Sequence, residues 1–434
     1  MAPPGTLYLG GTRRLDGGGC PAPLYLPAHH LVTHGVVVGM TGSGKTGLVT
    51  VLAEEAIRSG IPVLAIDVKG DLPNLLLGLP TFAAEPLLPW AEGCAPAGDP
   101  RPPAELAADL AHRRREALET WGFTEALLAH YAATTLVRVL TPGSGGGERL
   151  HVLSGLERRS PRWDSDPEAA GAALSAAVSL VLRLVGKNAD PAKSREHVLL
   201  SVLAERRLRA GQPAALEALL GDLAEPPIER VGALALDDFL PATQRKSLAA
   251  VLNNLLASPT FQSWRTGESL DVGAWLGPVQ GRTPAVVLSV AHLDDEEREL
   301  VLGVLLEEVL CWVRTLPGSK RLKALVLFDE VYGFLPPHPA NPPTKRPLVA
   351  LMKQARAFGV GVVVATQNPM DLDYRALGNA GLWCIGRLQT DADRERVVDG
   401  LRHGDGLAAV DATIPRLAPR WFVVRDAHDP AGPC

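Results

Sequence analysis

The apolar positions of this chain gather into short unbroken runs: "GVVV" (35–38), "IPVLAI" (61–66), "PAVVLSV" (284–290), "ALVLF" (324–328), "GVVVA" (361–365) and "WCI" (383–385). Glycine or polar residues stop most of them. Runs of this length, rich in β-branched side chains, predict strands buried on both faces. Two longer segments have the other period. "KTGLVTVLAEEAIRSG" predicts a helix that Gly60 ends, and "DDEERELVLGVLLEEVLCWVRT" predicts a second. In the latter, Asp294 and Glu297 have capping-box spacing, and Leu300, Val304, Val309 and Trp312 recur at an approximately helical interval. Strands alternating with helices imply a mainly parallel sheet covered on both sides, so the predicted fold class is α/β. "RWFVV" (420–424) predicts a final strand.

Between Pro73 and Arg282 the pattern changes to Ala-, Leu- and Arg-rich helical stretches such as "EAAGAALSAAVSLVLRLVG", broken by "TPGSGGGE" and "SPRWDSDP". The organisation read from this is an N-terminal extension (1–34), a first part of an α/β core (35–72), a large, mainly helical insertion (73–282) and a second part of the core (283–434). The length of 434 residues is compatible with two or three domains at roughly 150 residues each.

Composition narrows the classes. With 46% hydrophobic residues the chain is ordinary globular material, and no apolar run approaches the roughly 18 residues that suggest a membrane span. The start "MAPPGTLYLGGTRRLDGG" lacks the basic end and greasy stretch of a secretion signal, so a cytoplasmic location without a membrane partner is expected. Five scattered cysteines, Cys20, Cys94, Cys311, Cys384 and Cys434, have no C-x-x-C spacing and are expected to be reduced thiols. A net charge of -5 rules out a global polycation, so contact with nucleic acid requires a local basic surface or an assembled channel.

The chemistry is concentrated where the apolar runs end. "GMTGSGKT", Gly39–Thr46, fits G-x-x-x-x-G-K-[ST] and lies between a predicted strand and a predicted helix, where a phosphate loop has to be. Gly39, Thr41, Gly42, Ser43, Gly44 and Gly47 let backbone N–H groups turn toward phosphate oxygens. Lys45 reaches the outer phosphates, and the Thr46 hydroxyl is a ligand for Mg²⁺. Such a loop needs a carboxylate on a second strand, and "ALVLFDE" supplies two: Asp329 for the metal and Glu330 to orient or deprotonate the attacking water. Gln367, at the end of "GVVVAT", is placed to touch the terminal phosphate or its water, or else caps a turn together with Asn368. Charge on the transferring phosphoryl group calls for an arginine, typically worth about 10³ to 10⁵ in rate. Arg387 and Arg356 are both candidates, in the same chain or acting on a neighbour. Asp67, Lys69 and Asp71 of "IDVKGDL" either support the phosphate loop from behind or make a turn with Gly70. His34 is read as structural.

"THGVVVGMTGSGKT", "IDVKGDL", "LFDEVYGF" and "KQARAFGVGVVVATQNPMDLDY" followed by "IGRL" resemble, in that order, the HerA–FtsK superfamily of P-loop ATPases, and within it the bacterial HerA-like ATP-binding proteins. "DPAKSREHVLLS" and "LNNLLASPTFQSW" resemble the helical insertion of the same subgroup. The resemblance implies a RecA-like P-loop core, ATP and Mg²⁺ as cofactors, hexameric rings with nucleotide between subunits, and translocation of double-stranded DNA. It assigns phosphate binding to Lys45 and Thr46, the metal to Thr46 and Asp329, catalysis to Glu330, sensing to Gln367 and an arginine finger to Arg356 or Arg387. Archaeal relatives carry a small β-barrel ahead of the phosphate loop, and the residues before Gly39 are too few for a full one. Lys345 and Arg346 of "PPTKRP" are either DNA contacts or part of a solvated loop. Two other readings stay open: a motor of the secretion or conjugation type, and a nucleotide-gated scaffold for a partner nuclease or other effector.

Overall fold

The computed structural model describes residues 3–13, 22–96, 99–157, 162–187, 190–258, 261–367, 372–373, 378, 380–388, 390–400 and 411–429. In chain order the strands are β1 (Thr6–Thr12), β2 (Ala22–Pro27), β3 (Gly35–Val38), β4 (Val63–Asp67), β5 (Thr135–Pro142), β6 (Glu148–His151), β7 (Arg230–Val231), β8 (Leu234–Ala235), β9 (Glu268–Ser269), β10 (Thr283–Ser289), β11 (Ala324–Asp329), β12 (Val360–Thr366), β13 (Leu382–Ile385) and β14 (Val423–Asp426). Ten of them form one sheet in the order β14-β13-β3-β12-β11-β4-β10-β5-β6-β9. All neighbours in it are parallel except β13 and β14.

The apolar runs occupy the centre of this sheet because both faces are covered. Along β3, Val36 and Val38 join the core on one side while Val37 joins the core on the other; along β4, Leu64 and Ile66 oppose Val63 and Ala65 in the same way. The first core holds the helices Pro167–Leu184, Arg195–Arg209 and Asp295–Thr315 against the sheet; the second holds the helix Lys45–Arg58. Both hydrogen bonds of the capping box at Asp294 and Glu297 are formed.

The segment 73–282 does more than supply helices. Its strands β5, β6 and β9 extend the main sheet, with β5 running beside β10 from Thr135 to Leu140. The pattern "TTLVRVLTP" conceals this strand because Arg138 interrupts the apolar run. In the fold that guanidinium pairs with Glu148 of β6 and Glu268 of β9, so the charge is matched across neighbouring strands. The helix Pro167–Leu184 is long and apolar enough, by length and composition alone, to cross a bilayer. Here it packs against the helices Arg195–Arg209 and Asp295–Thr315.

At the N-terminus, β1 and β2 pair antiparallel into a two-stranded ribbon on the helix Lys45–Arg58. Leu7 and Leu26 are buried against that helix's core, and the Tyr8 N–H donates to Glu55 Oε2 at 2.7 Å. Cys94, Cys311 and Cys384 form no disulfide among the described residues; Cys20 and Cys434 lie outside them.

Candidate active site

Every parallel strand of the sheet centre points its C-terminal end to one edge, and the phosphate loop forms there as β3 ends. Gly42 and Gly44 have φ of +78° and +99°, which L side chains rarely adopt. A Cβ at Gly44 would also stand 3.0 Å from the Cα and Cγ of Arg420. Three hydrogen bonds hold the loop from outside. The Gly39 N–H donates to the Thr366 carbonyl (3.4 Å), the Met40 N–H to the Arg387 carbonyl (2.8 Å), and the Arg420 N–H to the Ser43 carbonyl (2.8 Å). Arg420 itself sits at φ +68°. Its part in bracing the loop has no motif; only its place just before β14 hints at it.

The loop leaves polar groups waiting for an anion. The helix Lys45–Arg58 starts at Gly44 without a side-chain cap among the described residues, so its first N–H groups face the loop. The Ser43 hydroxyl is buried and has no hydrogen-bond partner among the described residues. Lys45 folds back onto the carbonyls of Gly39 (2.5 Å) and Met40 (3.0 Å). Burial pushes its ammonium down to about 8; the Lys69 charge acts in the same direction, and Glu330 and Asp329 oppose it. A triphosphate would satisfy these groups together. Thr41, Gly42 and Gly47 are exposed along the loop, where a ligand has room.

The acidic pair of β11 reaches the same edge. Thr46 Oγ1 donates to Asp329 Oδ2 at 3.5 Å, although 283 positions separate the two residues. Burial raises the Asp329 carboxyl to about 6; Lys69 pulls it back, while Asp67, Glu330 and Asp71 push it further up. A hydroxyl and a carboxylate in a pocket crowded with negative charge are the hard oxygen donors that Mg²⁺ takes, its other positions being filled by water and phosphate. The residues present therefore fit that ion.

Glu330 follows at φ +78°, a left-handed conformation uncommon for a non-glycine residue. Both carboxylate oxygens are engaged. Oε2 accepts from Lys69 Nζ (2.7 Å) and Gln367 Nε2 (2.7 Å), and Oε1 accepts from Thr366 Oγ1 (3.1 Å) and the Gln367 N–H (3.3 Å). Burial acts to raise Glu330, but the Lys69 ammonium and the Gln367 donors outweigh it and hold the carboxyl below its usual range. Gln367 also accepts from the Thr41 hydroxyl, so one amide connects the phosphate loop to the acid. Asn368 lies outside the described residues.

"IDVKGDL" makes the turn, and its lysine meets the acidic pair of β11 rather than the phosphate loop. Asp67, fully buried, makes the turn: its Oδ1 accepts the N–H groups of Gly70 (2.9 Å), Asp71 (3.1 Å) and Leu72 (3.5 Å), and its Oδ2 accepts from Ser289 Oγ (2.7 Å). Lys69, carried on that turn, reaches the active-site carboxylate. His34 is structural, its Nδ1 accepting the Val362 N–H at 3.1 Å.

The two arginines separate. Arg387 follows β13 at the loop edge, exposed, with its carbonyl on the phosphate loop. Arg356 precedes β12, whose seven residues span roughly 20 Å, so within one chain it lies at the far edge. There it lines a cleft of about 710 Å³ with His29, Thr33, Lys320, Lys353 and His428. Lys345 is not a loop residue: it opens the helix Lys345–Gln354, pairs with Asp373 (3.4 Å) and donates to the Ala340 carbonyl (3.1 Å). Arg346 beside it is exposed.

Comparison with known proteins bears on the fold. The family model described as Helicase HerA-like C-terminal matches residues 16–79. The fold is similar to VirB4 of Thermoanaerobacter pseudethanolicus, with 14% identity, 98% of this chain and 94% of that chain covered, and a TM-score of 0.55. It is also similar to the bacterial conjugative coupling protein TrwBdeltaN70 in its unbound form (14% identity, 93% and 84% covered, TM-score 0.51). A third similar structure is plasmid coupling protein TrwB in complex with the non-hydrolysable GTP analogue GDPNP (14% identity, 93% and 85% covered, TM-score 0.50). No curated protein matches the sequence. The family model and the shared fold bear out the resemblance to HerA-like P-loop ATPases.

Proposed function

We propose that this HerA-like P-loop ATPase hydrolyses ATP with Mg²⁺ and uses the energy to move double-stranded DNA through a ring of its own copies. One observation carries the enzymatic part: phosphate loop, metal aspartate, glutamate and glutamine converge on a single point of the sheet edge through Thr46–Asp329 and Thr41–Gln367–Glu330. In this reading Lys45, Ser43 and the loop N–H groups hold the phosphates, while Thr46 and Asp329 hold Mg²⁺, which neutralises charge on the phosphates. Glu330 accepts a proton from the attacking water, whose oxygen displaces ADP from the terminal phosphorus. Gln367 positions that water and reports its loss to the loop through Thr41.

The ring rests on the arginines. Arg356 faces away from its own nucleotide site, which favours a role on the site of a neighbouring copy, while Arg387 serves its own. Six copies around a hole would also gather positive charge that a chain of net charge -5 does not display. Arg346 is the better candidate DNA contact, since Lys345 is already paired.

Glu330→Gln should lower ATP turnover by about 10² to 10⁴ while nucleotide binding persists. Duplex DNA should raise wild-type turnover, an effect that salt weakens. Unchanged turnover in Glu330→Gln would end the enzymatic reading, and identical rates with and without duplex at low salt would end the DNA reading. The likeness to a bacterial conjugative coupling protein supports a second reading, a coupling-type motor whose cargo includes protein. Native mass spectrometry with ATP, Mg²⁺ and duplex separates these readings from a nucleotide-gated scaffold for a nuclease, because copy number and DNA occupancy are read together.

A further inference from the structure

The ion pair between Lys69 and Glu330 deepens this reading, on which the inference rests. Glu330 is the group that must face the water, yet its two oxygens receive four donors from the chain itself. A carboxylate so engaged is a poor acceptor for a water proton. Three of those donors belong to Thr366 and Gln367, at the end of the neighbouring strand; the fourth is an ammonium on a flexible stem. Lys69 is also the only donor of the four that carries a charge a phosphate would attract.

Its position is built. Asp67 ties down the N–H groups of Gly70 and Asp71, and Ser289 holds the other oxygen of Asp67, so the turn that carries Lys69 is anchored in the core. β4 and β11 are paired with Asp67 opposite Asp329, which sets Lys69 beside the acidic pair. The Lys69 side chain keeps 31% of its exposure, against 10% for Glu330, so its ammonium has room to move toward a ligand in the loop. Lys45 and Asp329 both feel its charge.

We infer that Lys69 reads the terminal phosphate: without nucleotide its ammonium occupies Glu330, and a γ-phosphate in the loop draws it away and releases the carboxylate toward water. A diphosphate does not reach it. Glu330 is thereby held out of action until the substrate that needs it is in place.

The test compares Lys69→Met and Lys69→Arg with wild type. Calorimetry with Mg²⁺ gives the affinity for ADP and for a non-hydrolysable ATP analogue. Lys69→Met should leave ADP affinity unchanged and reduce the preference for triphosphate by about tenfold, the effect of one charge-assisted hydrogen bond. Lys69→Arg should restore most of that preference. An unchanged triphosphate preference in Lys69→Met overturns the inference, as does an equal loss of both nucleotides, which would mark Lys69 as merely structural. Failure of the wild-type chain to bind either nucleotide would instead overturn the ATPase reading itself.

Discussion

Gly44, Lys45 and Ser43 show how few atoms decide the chemistry at the scale of the residue. The glycine is needed twice over, for its positive φ and for the space that Arg420 fills. Gly44→Ala is therefore expected to lower nucleotide affinity by at least about tenfold, measured by calorimetry, at a cost in stability of about 1 to 2 kcal/mol for the left-handed backbone. The need for glycine was legible in the motif, but the reason Arg420 imposes it was not, because nothing local connects positions 44 and 420. Glu330 was legible as a carboxylate after an apolar strand. Its partner Lys69 was left between two readings, since a lysine in a turn looks the same whether it faces water or an acid on the next strand.

Elements were legible where burial is two-sided. β3, β4, β10, β11 and β12 are continuous apolar runs because helices cover both faces, whereas β5 and β9 carry charges that only neighbouring strands neutralise. The turn after β4 gives a prediction at this scale. Asp67→Ala would leave the half-buried N–H groups of Gly70 and Asp71 and the buried Ser289 hydroxyl without their acceptor, costing about 1 to 3 kcal/mol, seen as a lower melting temperature. It should also loosen Lys69 and so reduce the preference for triphosphate. The contact between β3 and β12 gives another. Burial lowers the His34 imidazole from 6.5 to about 4. Between those pH values the unfolded chain takes up a proton that the folded chain refuses, so this contribution, present above pH 6.5, is lost as pH falls toward 4. The loss should approach about 3 kcal/mol. Denaturant unfolding across that range checks it, and His34→Asn, which tolerates the positive φ at this site, should flatten the slope.

For the molecule as a whole, the decisive feature is that the sheet has two edges with different equipment. The edge holding the phosphate loop has the acids, Gln367, Lys69 and Arg387; the opposite edge has Arg356 in a basic cleft. If a copy lends Arg356 to its neighbour, Arg356→Ala and Lys45→Ala are each inactive alone, yet mixing them should restore a fraction of turnover in a coupled phosphate-release assay. No recovery on mixing at concentrations where assembly is verified would count against the shared site. The sequence by itself determined the strand runs, the glycine loop, the capping box and the candidate groups for phosphate and metal, because each follows from local periodicity, backbone freedom or side-chain chemistry within a few residues. Tertiary structure alone decided that β5, β6 and β9 complete the sheet, that Lys69 meets Glu330 and that Arg356 faces away. Those outcomes depend on strand order and on charges matched between segments distant along the chain, and the interactions that fix them do not exist until the sheet has formed.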